Sequence, residues 1–338
     1  MTPIVQTFDE VRELITPLLR KMVHRLDPST RLVVSYHLGW CDKDGVPANT
    51  NGGKAIRPSL ALLGAVAAGA EPEAALPAAV AVELVHNFSL VHDDVMDGDA
   101  ERRHRPTVWA QWGAPTAVLA GDAMLSLAHE VLLDLRSPHA RTAEAMLAVA
   151  TRELIRGQTL DIAFESRCAV SLAECVAMVR GKTGALMSVS AAIGAVLTGA
   201  PPAMTDALTS YGDHLGVAFQ LVDDLLGIWG QPEITGKPVY SDLRSRKKTL
   251  PVTWAIENGG APGRRLAAWL ADEPRDATDA ELAGVAELVE QGGGREWATR
   301  EAVRLAALAD DAVAQAGAVS KPAGQLRALA RYLTHRDA

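Results

Sequence analysis

The chain has 338 residues and a formal net charge of −8, which excludes a general nucleic-acid-binding surface because such surfaces need a dense basic face. Aromatic residues make up 4% and runs rich in β-branched residues are scarce, so the composition predicts an all-α protein. Because the composition is uniform from end to end, we expect one domain over residues 1–338.

The cysteines and the N-terminus predict a cytoplasmic protein. Cys41, Cys168 and Cys175 are odd in number and widely spaced, which is typical of reduced thiols rather than a disulfide framework. The N-terminus lacks a basic segment followed by an apolar run, and no stretch approaches roughly 18 uninterrupted apolar residues. We therefore expect no membrane span.

Apolar residues at helical spacing predict helices along most of the chain. The first covers about Phe8 to Arg25, and a polar loop from Asp42 to Gly53 follows it. Further helices are predicted over residues 60–68, 75–97, 116–135, 140–165, 172–197 and 204–229. The segment from Gly230 to Lys248 is predicted to be a long loop, and loops of that length inside a domain are usually functional. Helices then continue to the end.

The first acidic motif places Asp93 and Asp97 four residues apart, so both carboxylates project from one helical face, one turn apart. Like charges at this spacing repel unless a cation compensates them, and carboxylate oxygens suit magnesium held jointly with substrate phosphates. The alternative for this motif alone is a solvated acidic helix end.

A second acidic cluster, Asp223 and Asp224, lies in the strongly apolar predicted helix over 204–229. Burying two carboxylates in such a segment is costly unless they are paired or bind a metal. The alternative is a helix cap or a salt bridge.

Basic residues occur where an anionic ligand would need them. Lys54 and Arg57 stand at a glycine-rich helix entry, where free amides and the helix dipole also favour phosphate. Arg102 and Arg103 follow the first acidic motif, and arginine binds diphosphate bidentately. Lys182 and Lys237 complete the set. Each alone is more typical of a solvated surface charge, so the combination carries the prediction.

Together these motifs resemble those of the trans-isoprenyl diphosphate synthases, also called polyprenyl synthetases, over about residues 52–251. The matching strings are Gly-Gly-Lys-Ala-Ile-Arg-Pro at 52–58, Glu-Leu-Val-His-Asn-Phe-Ser at 83–89, Asp-Asp-Val-Met-Asp at 93–97, Arg-Arg at 102–103, Gly-Gln-Thr-Leu-Asp at 157–161, Lys-Thr-Gly-Ala-Leu at 182–186, Phe-Gln-Leu-Val-Asp-Asp at 219–224, Gly-Lys-Pro at 236–238 and Lys-Lys-Thr-Leu-Pro at 247–251.

The resemblance implies an antiparallel helix bundle around a deep central cavity, a homodimer, and head-to-tail condensation of isopentenyl diphosphate with an allylic diphosphate. Magnesium, three ions per site with substrate bound, would be held by Asp93, Asp97 and Asp223. The allylic diphosphate would be held by Arg102, Lys182, Thr183, Gln220 and Lys237. Isopentenyl diphosphate would be held by Lys54, Arg57, His86 and Arg103. The catalytic residues would be Asp93, Asp97, Arg102, Lys182, Asp223 and Lys237.

The second acidic motif departs from the family pattern at Gly227, where a third aspartate is common. We expect Asp223 to keep its metal-binding role, and Asp224 to bind through water or to orient its neighbour.

The length of the product is predicted from Phe88 and Ser89, five and four residues before Asp93. One aromatic residue with a small neighbour at these positions resembles the pattern of a geranylgeranyl (C20) synthase. The alternatives are a farnesyl (C15) synthase or a terpene cyclase on the same scaffold. Phe88 could instead pack between helices. A catalytically silent regulatory subunit is disfavoured because such a protein would lose the acidic ligands that this chain retains.

Overall fold

The structure, a computed structural model, describes residues 3–48, 53–232, 238–272 and 276–334. Its helices are α1 (Pro3–Val23), α2 (Pro28–His37), α3 (Ile56–Ala67), α4 (Leu76–Met96), α5 (Val108–Trp112), α6 (Ala114–Leu133), α7 (Ala140–Glu165), α8 (Leu172–Val179), α9 (Ala185–Leu197), α10 (Pro202–Trp229), α11 (Ser241–Arg244), α12 (Leu250–Asn258), α13 (Gly260–Ala271), α14 (Asp279–Gln291), α15 (Gly294–Gln315) and α16 (Ser320–Thr334). In the described ranges the strands are β1 (Glu101–Arg102) and β2 (Arg105–Pro106), an antiparallel pair. The all-α prediction is confirmed.

Several features were not predicted from the sequence, among them the β1–β2 hairpin and α5. Helix α2 begins after Asp27, whose carboxylate accepts hydrogen bonds from the N–H groups of Ser29 and Thr30, a capping pattern that predicts a helix start. The predicted helix over 172–197 is divided by a π-helical turn, Arg180–Gly184. The predicted loop over 230–248 contains α11.

The chain forms two compact units. The first unit comprises Met1–Val149, Val189–Leu208 and Gly317–Gln325, and the second comprises Ala150–Ser188, Thr209–Ala316 and Leu326–Ala338. The expectation of one domain over residues 1–338 stays a prediction.

In the first unit α4 is the central helix and packs against α3 and α6. Most of its length is buried, with Val82, Leu84, Val85 and Val91 fully enclosed, and each such side chain contributes about 1.5–3 kcal/mol of apolar burial. A Cβ at Gly121 of α6 would lie 3.2 Å from His92 Cε1 and closer to other atoms of that ring. Glycine therefore lets α6 approach α4 next to the first acidic motif.

The second unit has two apolar clusters. One joins α8, α10 and α15 through residues such as Cys175, Leu221 and Leu305. The other joins α12, α13 and α14 through residues such as Val252, Leu266 and Val289. Capping boxes at Ser171 and Thr278 fix the starts of α8 and α14, because each satisfies amide groups that the helix leaves unpaired.

Among the residues that the structure describes, two helical segments are long and apolar enough to cross a membrane, Pro72–Met96 and Ala114–Leu133. In the most apolar stretch of each segment, 72% of the first and 44% of the second is buried in the protein, and a core helix of a soluble protein passes the same test of length and hydropathy. The absence of a membrane span stays a prediction.

Candidate active site

The first acidic motif forms the C-terminal end of α4. The N–H of Asp97 donates to the carbonyl of Asp93 over 2.8 Å, and Asp97 caps the helix. Asp93 is half-buried and Asp97 is exposed. Two carboxylates one turn apart at the negative end of a helix dipole repel each other and the helix end, so a bound cation would stabilise this arrangement.

Asp94, between them, is buried and faces the basic hairpin. Arg102 Nε donates to Asp94 Oδ1 over 2.7 Å, while Asp94 Oδ2 is buried without a hydrogen-bond partner among the described residues. Burial raises the pKa of Asp94 to about 6, against the opposing effect of Arg102. The ion pair with Asp94 uses Nε of Arg102. The two Nη atoms of the guanidinium are not part of that ion pair, and together they are suited to bidentate binding of a diphosphate.

Arg103 lies at the tip of the β1–β2 hairpin. Arg103 and His104, the two residues between the paired strands, have φ of 55° and 60°, as both central residues of a type I′ turn require. Left-handed backbone in two residues with side chains is costly, and such strain is typical of functional sites.

The Arg103 guanidinium rests against the backbone that enters α3. Gly53 has a φ of +104°, and a Cβ there would lie 2.6 Å from Arg103 Nη2 and 3.0 Å from its Cζ. Arg12 Nη2 donates to the Gly53 carbonyl over 2.6 Å. The structure therefore brings together the segment carrying Lys54 with Arg103, and it adds Arg12, which no sequence motif indicated.

Arg57, in the first turn of α3, lies next to His86 of α4. Arg57 Nη1 is 3.3 Å from His86 Nε2, and because arginine only donates, His86 Nε2 accepts and Nδ1 carries the proton. Burial and the neighbouring Arg57 lower the pKa of His86 well below its usual value. His86 is thus a neutral ring that can donate to a ligand through Nδ1.

A second histidine, His37 of α2, belongs to a buried polar chain that sequence reasoning missed. His37 Nε2 is 3.1 Å from Asn87 Oδ1, and Asn87 Nδ2 donates to Glu83 Oε1 over 3.0 Å. Burial, followed by Arg103 and Arg102, lowers the pKa of His37 to about 3, and burial raises the pKa of Glu83. The motif at 83–89 contains Glu83 and Asn87, so the sequence already indicated two of these three hydrogen-bonded residues.

Replacing His37 with glutamine is expected to lower the free energy of unfolding at pH 7.5, and this difference from wild type should become smaller as the pH falls. The folded-state pKa of His37 lies below the unfolded value, so only the unfolded state gains a proton between about pH 6.5 and pH 3, and wild-type stability declines by about 1.4 kcal/mol per pH unit in that window. Glutamine does not titrate, so the variant does not lose stability in this way. Urea unfolding at pH 7.5 and 5 should show the stability gap narrowing by up to about 2 kcal/mol; an unchanged gap would contradict a neutral, buried His37.

In the second unit, Lys182 lies in the π-helical turn and pairs with Asp161 of α7, with 2.5 Å between Nζ and Oδ2. A Cβ at Gly157 would lie 2.7 Å from Lys182 Cα and 2.6 Å from the carbonyl carbon of Gly181. Only glycine lets the two backbones approach so closely, which sets the distance between Asp161 and Lys182. Such π-turns are frequent at functional sites. Asp161 ends the motif at 157–161 but was not selected as a site residue.

A hydrogen-bonded chain connects Thr183 to the second acidic motif. Thr183 Oγ1 donates to Gln220 Oε1, and Gln220 Nε2 donates to Asp224 Oδ1, each over 2.8 Å. Asp224 Oδ2 accepts from the N–H of Leu250 over 3.0 Å. Burial raises the pKa of Asp224 to about 7. Both oxygens of Asp224 thus have protein partners, which favours the predicted orienting role over metal binding.

Three residues of the predicted motifs, Gly52, Gly236 and Lys237, lie outside the described residues. Within the described ranges, no three acidic, histidine or cysteine side chains form a group able to hold a metal by themselves. This fits magnesium, which binds to one or two carboxylates together with substrate phosphates. The buried Asp94 Oδ2 beside the motif and the hard oxygen donors of Asp93 and Asp97 also fit that ion.

Comparison with known proteins places this arrangement in a family. The sequence pattern of the polyprenyl synthetase family matches residues 44–286. The crystal structure of a polyprenyl synthetase from Streptomyces coelicolor A3(2) is 48% identical with a TM-score of 0.93, covering 98% of this chain and 99% of that one. The geranylgeranyl pyrophosphate synthase of Corynebacterium glutamicum, complexed with isoprenyl diphosphate and magnesium, is 28% identical with a TM-score of 0.84, covering 98% and 99%.

Among curated proteins, the (2E,6E)-farnesyl diphosphate synthase of Mycobacterium tuberculosis H37Rv is 64% identical over 96% of this chain and 91% of its own. The geranylgeranyl diphosphate synthase of the same organism is 41% identical over 84% and 81%. The chain therefore belongs to the polyprenyl synthetase family. Like these relatives it is a prenyltransferase of isoprenoid biosynthesis, and the similarity favours the farnesyl alternative over the geranylgeranyl prediction.

Proposed function

We propose that this enzyme condenses isopentenyl diphosphate with an allylic diphosphate, head to tail, and that farnesyl diphosphate is its main product. The 64% identity to a farnesyl diphosphate synthase supports the C15 product. The observation that supports chain elongation is the cluster of basic residues near Gly53, which includes Arg57 and Arg103. This cluster lies in the same unit as Asp93 and Asp97. A terpene cyclase, which binds one diphosphate, would have no use for this second set.

Ionisation of the allylic substrate places negative charge on the departing diphosphate, so catalysis needs cations already positioned there. Bound magnesium, proposed as three ions held by Asp93, Asp97 and Asp223 with the substrate, would supply Lewis-acid stabilisation of that charge. Lys182 would contact the same diphosphate, with Asp161 fixing its ammonium group. Arg102, Thr183, Gln220 and Lys237 complete the proposed allylic site.

The second diphosphate, that of isopentenyl diphosphate, is proposed to bind Lys54, Arg57, His86 and Arg103. His86 would donate through Nδ1 because its Nε2 faces Arg57. Water must be kept from the carbocation until the double bond attacks, and the buried apolar side chains of α4, among them Phe88 and Val91, are suited to that.

We also propose a homodimer located in the cytoplasm. Helix α6 exposes Val118, Leu119 and Leu133, with exposed fractions of 42%, 65% and 64%. Apolar side chains repeated on one helix are typical of an interface. The three cysteines are free thiols, as expected in a reducing compartment.

Replacing Gly53 with alanine is expected to raise the KM for isopentenyl diphosphate about 100-fold, because a Cβ would displace the Arg103 guanidinium and small displacements of a binding group are costly. The KM for the allylic substrate should change far less. Gly69→Ala is the matched control: Gly69 has a φ of +90°, but no atom lies within 4 Å of its Cβ position. Equal effects of both variants would mean that backbone strain, rather than Arg103, explains the loss.

The proposed activity is tested by incubating the purified protein with magnesium, isopentenyl diphosphate and, separately, dimethylallyl, geranyl and farnesyl diphosphates. Linear C15 alcohol after phosphatase treatment is the expected product from the first two primers. C20 alcohol would restore the product first predicted from Phe88. Cyclic hydrocarbon without consumption of isopentenyl diphosphate, or no turnover, would contradict the proposal.

A further inference from the structure

The β1–β2 hairpin, which carries Arg102 and Arg103, is too short to hold its shape alone. Each of its strands has two residues, and an isolated two-stranded hairpin is marginally stable at best in water. Its turn residues, Arg103 and His104, also have a left-handed backbone that costs free energy. Contacts from outside the hairpin must therefore fix the turn that presents Arg103.

Arg105 of β2 joins the hairpin to the end of α2. It follows the turn directly and is paired with Arg102 across the two strands. Its Nη1 donates to the carbonyl of Tyr36 over 3.1 Å, and its Nη2 donates to the carbonyl of Cys41 over 2.9 Å. The Tyr36 carbonyl lies in the last turn of α2, where carbonyl groups lack partners within the helix and the helix dipole favours a cation. The Arg105 guanidinium is therefore bound by protein backbone.

Tyr36 makes the reciprocal contacts with β2. Its hydroxyl donates to the carbonyl of Pro106 over 2.8 Å, and Arg105 Cζ lies 4.1 Å from the centre of its ring. Tyr36 is 6% exposed, and its ring meets that of Trp112 in α5 edge to face, with 4.8 Å between centroids. A buried and packed ring fixes both its hydroxyl and the cation stacked on it. One residue of α2 thus binds two neighbouring residues of β2.

We propose that Arg105 and Tyr36 are positioning residues, which hold the hairpin so that Arg103 meets the diphosphate of isopentenyl diphosphate. The inference rests on the proposed function, since Arg103 is itself a proposed ligand of that substrate. Arg102 depends less on these contacts, because its Nε pairs directly with Asp94 over 2.7 Å. Loosening the contact between β2 and α2 therefore weakens the binding of isopentenyl diphosphate more than that of the allylic substrate.

The test compares the KM values of the two substrates in Arg105→Lys. Lysine keeps the charge but lacks the planar group that binds two carbonyls and stacks on the ring. The KM for isopentenyl diphosphate is expected to rise about tenfold, while kcat and the KM for geranyl diphosphate stay within about threefold of wild type. Tyr36→Phe, which removes the hydroxyl and keeps the packed ring, should raise the KM for isopentenyl diphosphate about threefold.

Two further variants separate positioning from a general loss of structure. Arg20→Lys is the matched control: Arg20 Cζ lies 4.4 Å from the centre of the Trp40 ring in the same unit, and this pair lies outside the hairpin. Both KM values should stay within about twofold of wild type. In an Arg103→Ala background, Arg105→Lys should add less than about twofold to the KM for isopentenyl diphosphate, because Arg105 acts through Arg103.

Three results would overturn the inference: equal rises of both KM values, an unchanged KM for isopentenyl diphosphate in folded Arg105→Lys, or a tenfold rise that persists in the Arg103→Ala background. If Arg105→Lys does not fold, Tyr36→Phe decides by the same comparison of KM values. Any of these results in an enzyme whose wild type consumes isopentenyl diphosphate leaves the proposed function standing. A wild type that never consumes isopentenyl diphosphate would overturn both.

Discussion

Replacing Asp93 with asparagine is expected to lower kcat/KM for the condensation about 1000-fold, equivalent to roughly 4 kcal/mol of transition-state stabilisation. Asp93 is half-buried in the last turn of α4 and precedes Asp97 by one turn. The amide removes the negative charge that would hold magnesium against the diphosphate, while the size of the side chain is kept. Steady-state kinetics with geranyl and isopentenyl diphosphates measure the effect.

The matched control for Asp93 is Asp134→Asn. Asp134 follows α6 in the same unit and pairs with Arg25 over 2.6 Å, with about half of its side chain exposed. Because exposed ion pairs contribute little, we expect activity and melting temperature close to those of wild type. If Asp93→Asn loses less than tenfold while remaining folded, the metal-binding role of the first motif is wrong.

Replacing Phe88 with alanine is expected to shift the main product from C15 to C20 or longer. Phe88 is only 5% exposed, and its ring meets that of His92 edge to face with 4.8 Å between centroids. His92 is held in turn, since its Nε2 is 3.0 Å from the carbonyl of Val118. The aromatic ring is therefore fixed by packing one turn before the acidic motif, and removing it opens space that a longer prenyl chain can enter.

Chain lengths are read by chromatography of the dephosphorylated products at equal conversion. Deleting a buried phenylalanine side chain costs about 3–5 kcal/mol of stability, so Phe88→Leu is the milder companion and should give a smaller shift in the same direction. Ser89→Ala, which removes the hydroxyl that donates to the His86 carbonyl but adds no cavity of that size, should keep C15. An unchanged C15 product from folded Phe88→Ala would mean that Phe88 acts only in packing.

Most of the helices were predictable because their periodic apolar residues reflect local geometry and burial on one face. Helix α7 has the predicted bounds, and the ends of α4, α6 and α10 lie within two residues of the predicted ones. The π-helical turn was not predictable, because its extra residue depends on contact between Gly157 and the backbone around Lys182. The short helices α2 and α11 lack the length that makes a periodic pattern distinct.

The sequence by itself determined the chemical inventory of this protein: two aspartate motifs on helices, the basic residues around them, and hence the family. Spacing along a helix is a local property, so Asp93 and Asp97 were assigned to one face without any tertiary information. Only the tertiary structure decided the partners: Asp94 with Arg102, Asp161 with Lys182, Gly53 with Arg103, and Asp242 in the place beside Gly227. Those contacts join residues that are remote in the chain or whose backbone must turn sharply, and their geometry follows from how the helices pack, which a one-dimensional pattern does not encode.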